Sequence, residues 1–261
     1  MTIDIEGKQV GIDTRGVGTP LILIHGFPLN RRMFAPQLEG LSAAARAITF
    51  DVAGVGESEA GSVSMDDIAD LTAAILTQQG IDKAVVGGVS MGGYASFAFA
   101  RRHPQRLLGL ILADTRAAPD SDTTKEARRK MARLVEDEGV IPAAARMVPG
   151  WFGPSSLQGR PEVVQQARAL VEAAPAETIV RMLQALADRP DARPGLSEIK
   201  VPTLVISGEE DPMIPPAEMA QWAALIPNSR HVVIPATGHL PNLEDPPAFN
   251  RAVADFLAGT A

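Results

Sequence analysis

The chain has 261 residues, 46% hydrophobic and 21% charged, with 24 Lys+Arg against 31 Asp+Glu. That length suits one large α/β domain or two small ones, and the apolar share supports a sizeable core and excludes disorder as the main state. A chain without cysteine holds no disulfide framework, thiolate zinc site, iron–sulfur cluster or cysteine nucleophile, and a net charge of −7 with 4% aromatics argues against a nucleic-acid partner.

The opening residues alternate apolar and polar around Gly7 (Ile3, Ile5, then Val10, Ile12), which reads as a hairpin. They carry Asp4 and Glu6 rather than a basic-then-apolar leader pattern, and no aliphatic run approaches a membrane span, so a soluble, cytoplasmic protein with no membrane partner is expected. Short apolar runs follow at Leu21–Ile24, Ala47–Phe50, Ala84–Val89, Leu107–Ala113, Thr203–Ser207 and His231–Ile234. Each reads as a strand buried on both faces. Amphipathic stretches separate them. Ser64 and Asp67 form a capping box, with Ile68, Leu71 and Ile75 at helical spacing until Gly80. Tyr94–Arg102 and Pro247–Leu257 also read as helices. Strands alternating with helices imply a mostly parallel central sheet with helices on both faces.

Residues 116–198 break that rhythm. Only helical patterns occur there, at Thr123–Glu138, Pro161–Ala173 and Pro175–Arg189. Eighty residues are too many for a loop, so they are expected to pack as a helical lid inserted into a core of residues 1–115 and 199–261. Trp151 and Phe152, an adjacent aromatic pair, fall within the lid and serve either as a core plug or as a pocket wall. Lys125, Arg128, Arg129, Lys130 and Arg133 read as a solvated helix face.

Between the strand Ala84–Val89 and its helix lies Gly88-Val-Ser90-Met-Gly92-Gly93. A serine there sits on a sharp turn that exposes its hydroxyl, and the glycines avoid collision with neighbouring backbone. A serine hydroxyl needs a base. His103 reads as a helix-end residue, His231 as an exposed strand edge and His25 as a site-lining residue at the end of the first buried strand. His239 follows the last strand in a glycine-containing loop and can reach over the sheet to Ser90. The base in turn needs an acid to fix its tautomer. Asp211, after the strand Thr203–Ser207, is preferred to Asp114, which is expected to cap its local turn, and Glu209 and Glu210 read as solvated loop charges.

The order Ser90, Asp211, His239 is the nucleophile–acid–base order of the α/β-hydrolase fold. The chain resembles that family from end to end, through His25-Gly-Phe-Pro28, Asp51-Val-Ala-Gly54-Val-Gly56-Glu-Ser58, the Gly88–Gly92 elbow, Gly208–Asp211 and Gly238-His239. The resemblance implies an oxyanion hole from the backbone N–H groups of Phe27 and Met91. It implies no metal and no cofactor. One departure is that Ala53 and Val55 stand where the family's loop usually carries a basic or aromatic residue.

Haloalkane dehalogenases and epoxide hydrolases resemble the chain at His25–Pro28 but use an aspartate where Ser90 stands. Meta-cleavage C–C hydrolases usually carry Trp where Leu240 stands. The Ser90-Met-Gly-Gly and Gly-His239-Leu-Pro-Asn-Leu-Glu segments look most like small carboxylesterases and 3-oxoadipate enol-lactonases. The expected function is therefore hydrolysis of small esters or lactones through an acyl-enzyme, with His25, Trp151 and Phe152 lining the substrate pocket. A cofactor-free haloperoxidase (perhydrolase), a C–C bond hydrolase and a non-hydrolytic small-molecule receptor on the same fold are the alternatives.

Overall fold

The computed structural model describes residues 1–260. Eight strands form one sheet: β1 (Thr2–Ile5), β2 (Lys8–Arg15), β3 (Thr19–Ile24), β4 (Ala45–Phe50), β5 (Ala84–Val89), β6 (Leu107–Ala113), β7 (Thr203–Gly208) and β8 (Ser229–Ile234). Their spatial order is β1-β2-β4-β3-β5-β6-β7-β8. The hairpin β1–β2 is antiparallel and joins β4 antiparallel, while β4 to β8 run parallel throughout.

Alternation along the central strands builds two cores. Ile22, Ile24, Val86, Leu110, Leu112 and Val205 face one layer of helices. Leu21, Leu23, Val85, Ile111, Leu204 and Ile206 face the other. Because a β-strand sends successive side chains to opposite faces, strands covered on both sides are apolar at every position. β5 and β7 are buried from end to end. β8 departs from the expected double burial: it is the sheet's last strand, and Arg230 and Val233 are exposed.

The helix Met65–Gln78 opens on the anticipated box, with Ser64 Oγ accepting from Asp67 N–H and the Asp67 carboxylate accepting from Ser64 N–H. Between β6 and β7 the chain forms helices at Asp122–Glu138, Pro161–Glu172 and Ala176–Ala187, close to the spans read from periodicity. Two short helices, Val140–Met147 and Pro154–Gly159, were not anticipated. Each has a proline in its first turn, where the ring fits, but is too short for a periodic signature. Among the described residues no helix is long and apolar enough to cross a membrane.

The start of the insertion is tied down by buried charge. Asp120 accepts from the guanidinium groups of Arg128 and Arg189. Arg189 also donates to the carbonyls of Leu186 (2.9 Å) and Ala118 (3.0 Å) and lies 4.1 Å from the Tyr94 ring centre. Arg128 thus leaves the solvated face expected of its helix, whereas Arg129 and Arg133 remain exposed beside Glu126.

Burial pushes the Asp120 carboxyl up, but the hydrogen bonds and charges of the two arginines outweigh it and hold it below the usual carboxylate range. A lowered folded-state value contributes stability above the ordinary carboxylate range and loses it as pH falls through the lowered value. Asp120→Asn should cost about 3–5 kcal/mol at pH 7 by leaving Arg189 under-compensated in the interior. Thermal denaturation should show the difference from wild type narrowing as pH falls below the ordinary carboxylate range, because the wild-type carboxyl then becomes protonated and uncharged as well.

Candidate active site

Ser90 ends β5 and precedes the helix Met91–Arg102 at φ 54°, ψ −112°. A non-glycine residue rarely takes a positive φ, and here it lifts the side chain out of the sheet edge. Neighbouring glycines make room. A Cβ on Gly88 would strike the backbone of Gly92, and one on Gly92 would strike the carbonyl of Ile24 in β3. The turn is fixed by Ser90 N–H donating to Ala113 O (2.9 Å), by Gly93 N–H donating to Ser90 O (2.9 Å) and by Thr115 Oγ1 donating to the same carbonyl (2.9 Å). The Ser90 hydroxyl does not cap its helix, and among the described residues no hydrogen bond joins it to His239.

Asp211 and His239, from the loops after β7 and β8, meet directly: His239 Nδ1 donates to Asp211 Oδ2 at 2.7 Å, and both residues are buried. Asp211 Oδ1 accepts from Met213 N–H (2.7 Å) and Ile214 N–H (3.1 Å). Burial pushes the Asp211 carboxyl up. His239 and the two N–H groups outweigh it and hold it below the usual range, so it is ionised near neutrality. Parallel register places the ends of β5, β6, β7 and β8 on one edge of the sheet, which is why Ser90, Asp211 and His239 converge there.

The loop around His239 is held by contacts that the sequence reading missed. The Glu244 carboxylate accepts from Gly238 N–H (2.8 Å) and Leu240 N–H (3.0 Å), the residues on either side of His239. His239 N–H itself donates to Trp151 O at 2.8 Å. Ser156 Oγ donates to Glu244, and Arg160 donates to Glu244 O (2.6 Å) and Ala236 O. Three consecutive backbone donors are thus satisfied, two of them by one buried side chain. A Glu five residues after a histidine was the available signal.

Trp151 and Phe152 are buried against this loop and sit among the apolar side chains of one core. His25 also differs from expectation. Its ring is fully buried, with Nδ1 donating to Gly26 O (2.9 Å) and Nε2 accepting from Val52 N–H (3.0 Å). Burial pushes the imidazole down, so it stays neutral and ties the Gly26–Asn30 loop to the exit of β4 instead of offering a ring nitrogen to a ligand. That loop comes close to the nucleophile position, since a Cβ on Gly26 would lie 3.7 Å from Ser90 Cβ. Arg31 anchors the same loop: its guanidinium donates to Asp51, Asp13 (2.8 Å) and Glu57 (2.6 Å). Phe27 is partly buried there, and Met91 opens the elbow helix, where a first-turn N–H has no intrahelical acceptor.

Other charges also depart from expectation. Glu210 accepts from Ser155 N–H (2.9 Å) and Oγ (2.6 Å), and Glu209 accepts from Ala236 N–H (3.0 Å), so both acids join loops rather than face water alone. His103 lies beside Asp70 (2.7 Å) and His231 beside Ser207 Oγ (2.7 Å), both remote from Asp211. Asp114 does not cap its own turn. Its Oδ1 accepts from Gly208 N–H on β7 at 2.8 Å, and burial and the Asp211 charge push its carboxyl well up.

One donor atom each from Asp114, Asp211 and His239 falls within 4.8 Å of the others, a spacing a cation could use. The His239 Nδ1 donor and the Asp211 oxygens are already committed to hydrogen bonds, so the cluster is built to share protons. A cavity of about 580 Å³ lies elsewhere, along the Tyr94, Phe97 and Arg101 face of the elbow helix, and none of the expected site residues lines it.

A mostly parallel sheet with a serine on a strained strand-to-helix turn, and an acid–histidine pair at the ends of later strands, defines the class of α/β enzymes built around a nucleophile elbow. The chain belongs to the alpha/beta hydrolase family, which it matches over residues 21–252. It is 31% identical to 3-oxoadipate enol-lactonase 2 of Acinetobacter baylyi, covering 89% of this chain and 86% of that protein. A malate-bound thermophilic esterase from Thermogutta terrifontis is 40% identical and superposes with a TM-score of 0.94, covering 99% and 97% of the two chains. The enol-lactonase of Burkholderia xenovorans LB400 is 28% identical with a TM-score of 0.91, covering 99% and 100%.

The clamp on the histidine loop has a measurable cost when removed. Glu244→Ala leaves two buried N–H groups without acceptors, each worth about 1–3 kcal/mol, whereas Ser156→Ala deletes one hydrogen bond and leaves both N–H groups paired. Urea unfolding should rank wild type above Ser156→Ala and Ser156→Ala well above Glu244→Ala.

Proposed function

We propose that the chain is a serine hydrolase of small carboxylic esters and lactones that works through an acyl-enzyme. The observation that carries this reading is the 2.7 Å Asp211–His239 hydrogen bond on the sheet edge where Ser90 stands at φ 54°. The relatives named as esterase and enol-lactonase support the same bond class.

In this mechanism His239 Nε2 takes the Ser90 proton as the hydroxyl attacks the substrate carbonyl. Asp211 holds the Nδ1–H tautomer and stabilises the imidazolium. Hydrogen bonds between nucleophile and base commonly tighten only when substrate is bound, so the open Ser90 hydroxyl is compatible with this role. The backbone N–H groups of Phe27 and Met91 donate to the developing oxyanion, each worth a few kcal/mol of barrier. His239 then protonates the leaving alcohol and activates water to release the acyl group. In a lactone the leaving alcohol stays tethered to the acyl chain, so ring opening and deacylation give a single hydroxy acid.

Residues 116–198 act as a lid on a core of residues 1–115 and 199–261. The bonds from Trp151, Ser155, Ser156 and Arg160 to the loops carrying Asp211 and His239 favour that assignment. Trp151 and Phe152 support the histidine loop from this side.

Assays with a short p-nitrophenyl ester and a small lactone test the reading. Ser90→Ala should lose about 10⁴-fold or more in kcat/KM, and Asp211→Asn about 10⁴-fold in kcat. An organophosphate should add its mass to wild type and not to Ser90→Ala. Ester turnover unchanged by Ser90→Ala would overturn the assignment.

A further inference from the structure

Asp114 is a buried carboxyl beside Asp211 that the mechanism leaves unused. It ends β6, between the strands that deliver Ser90 and Asp211, at a positive φ of 41°. Its side chain is fully buried. Oδ1 accepts from Gly208 N–H, while Oδ2 has no donor among the described residues. Asp211 and His239 each bring a side-chain atom within 4.8 Å of one of its own, and the Glu244 charge also acts on it. Arg116 acts on Asp211 from outside, with its guanidinium paired to Glu218.

Two buried carboxylates this close cannot both ionise without several kcal/mol of repulsion and desolvation. Asp211 is the better anion, because it accepts two backbone N–H bonds and the His239 ring. A carboxylate has about four lone-pair sites, and these three bonds leave one vacant. We infer that Asp114 is a positioning residue held as the neutral acid, whose hydroxyl at Oδ2 donates to the Asp211 carboxylate while Oδ1 accepts from Gly208. Burial supports the same protonation state. A carboxylic acid kept neutral by an apolar site so that it can donate is an established device. Its effect here is to fix the Asp211 rotamer against His239 and to moderate the basicity of that carboxylate. The inference rests on the serine-hydrolase reading for its kinetic consequences only.

The test compares wild type, Asp114→Ala and Asp114→Asn. The asparagine amide offers the same donor and acceptor as the neutral acid, without charge. Asp114→Ala removes the donor, leaving Asp211 more basic and less fixed. Its kcat should fall about tenfold, with KM little changed, and the acid limb of its pH profile should move to higher pH because the imidazolium is better stabilised. Asp114→Asn should restore most of kcat and return the limb to its wild-type position. A limb that moves to lower pH in both variants would mean an ionised Asp114 and would overturn the proposal, as would an Asn variant no better than Ala. Infrared difference spectra give a readout free of turnover. At pH 7 wild type should show the carbonyl stretch of a protonated carboxyl that Asp114→Asn lacks, and its absence would sink the idea even if esters are cleaved. A chain that cleaves no ester yet shows the band would fail the hydrolase reading alone.

Discussion

The backbone turn at Ser90 is the constraint on which the rest of the structure depends. Holding a non-glycine residue at φ 54° costs of the order of 1–3 kcal/mol, so the surroundings must over-determine it. They do so through closeness. Gly88 and Gly92 let the strand–helix junction pass against itself and against Ile24, and three hydrogen bonds lock the carbonyl and amide of Ser90 to β6 and the elbow helix. Any Cβ at either glycine would have to push a main chain, and main chains in a parallel sheet have nowhere to go. The same closeness leaves room for no more than an ordinary contact between a Cβ on Gly26 and Ser90 Cβ, 3.7 Å apart.

Around that turn the edge of the sheet is polar yet buried, a combination tolerated only when every group has a partner. The histidine loop meets this requirement economically. One Glu244 side chain closes two backbone donors, a carbonyl from the helical insertion closes the third, and the ring finds Asp211. The Gly26–Asn30 loop is secured by a different chemistry, a buried guanidinium shared among three carboxylates and a neutral histidine bridging two strands' exits. The histidine loop is thus held by one near neighbour, Glu244, and by Trp151 and Asp211 from distant parts of the chain, and the Gly26–Asn30 loop by groups from β2 and the exit of β4.

That is also where sequence reading succeeds and fails. The central strands were legible because burial on both faces writes a continuous apolar run, and β5 and β6 match their expected limits residue for residue. The glycine-flanked turn at Ser90 was legible because a sharp strand-to-helix turn demands small neighbours, whereas Asp211 and His239 were picked out by their positions after β7 and β8 and by the resemblance in their order. β8 was misjudged because an edge strand of Arg, His and Val looks like a buried one until its missing neighbour is known. Arg31, Asp114 and Glu244 gave little signal because their meaning is tertiary. Arg31 reads as one more surface arginine until Asp51, twenty residues later, comes to face it. His25 was read as lining the site, but its ring nitrogens are taken by Gly26 O and Val52 N–H, and nothing local shows that Val52 N–H will occupy its Nε2.

Anchoring of the helical insertion follows the same logic. At its start, Asp120, Arg128 and Arg189 form a desolvated charge cluster that reaches Tyr94 on the elbow helix. At its middle, Ser155, Ser156 and Arg160 bond to Glu210, Glu244 and Ala236 in the core. Opening the insertion as a rigid body would strand several of these buried groups at once, at about 1–3 kcal/mol each for the neutral donors and more for the charges. Local rearrangement is cheaper in the helix Val140–Met147, which exposes Ile141 and carries none of these anchoring bonds, whereas the helix Pro154–Gly159 carries those of Ser155 and Ser156. The polar anchors that hold the His239 loop are therefore the same ones that keep the insertion seated, so loosening one loosens the other.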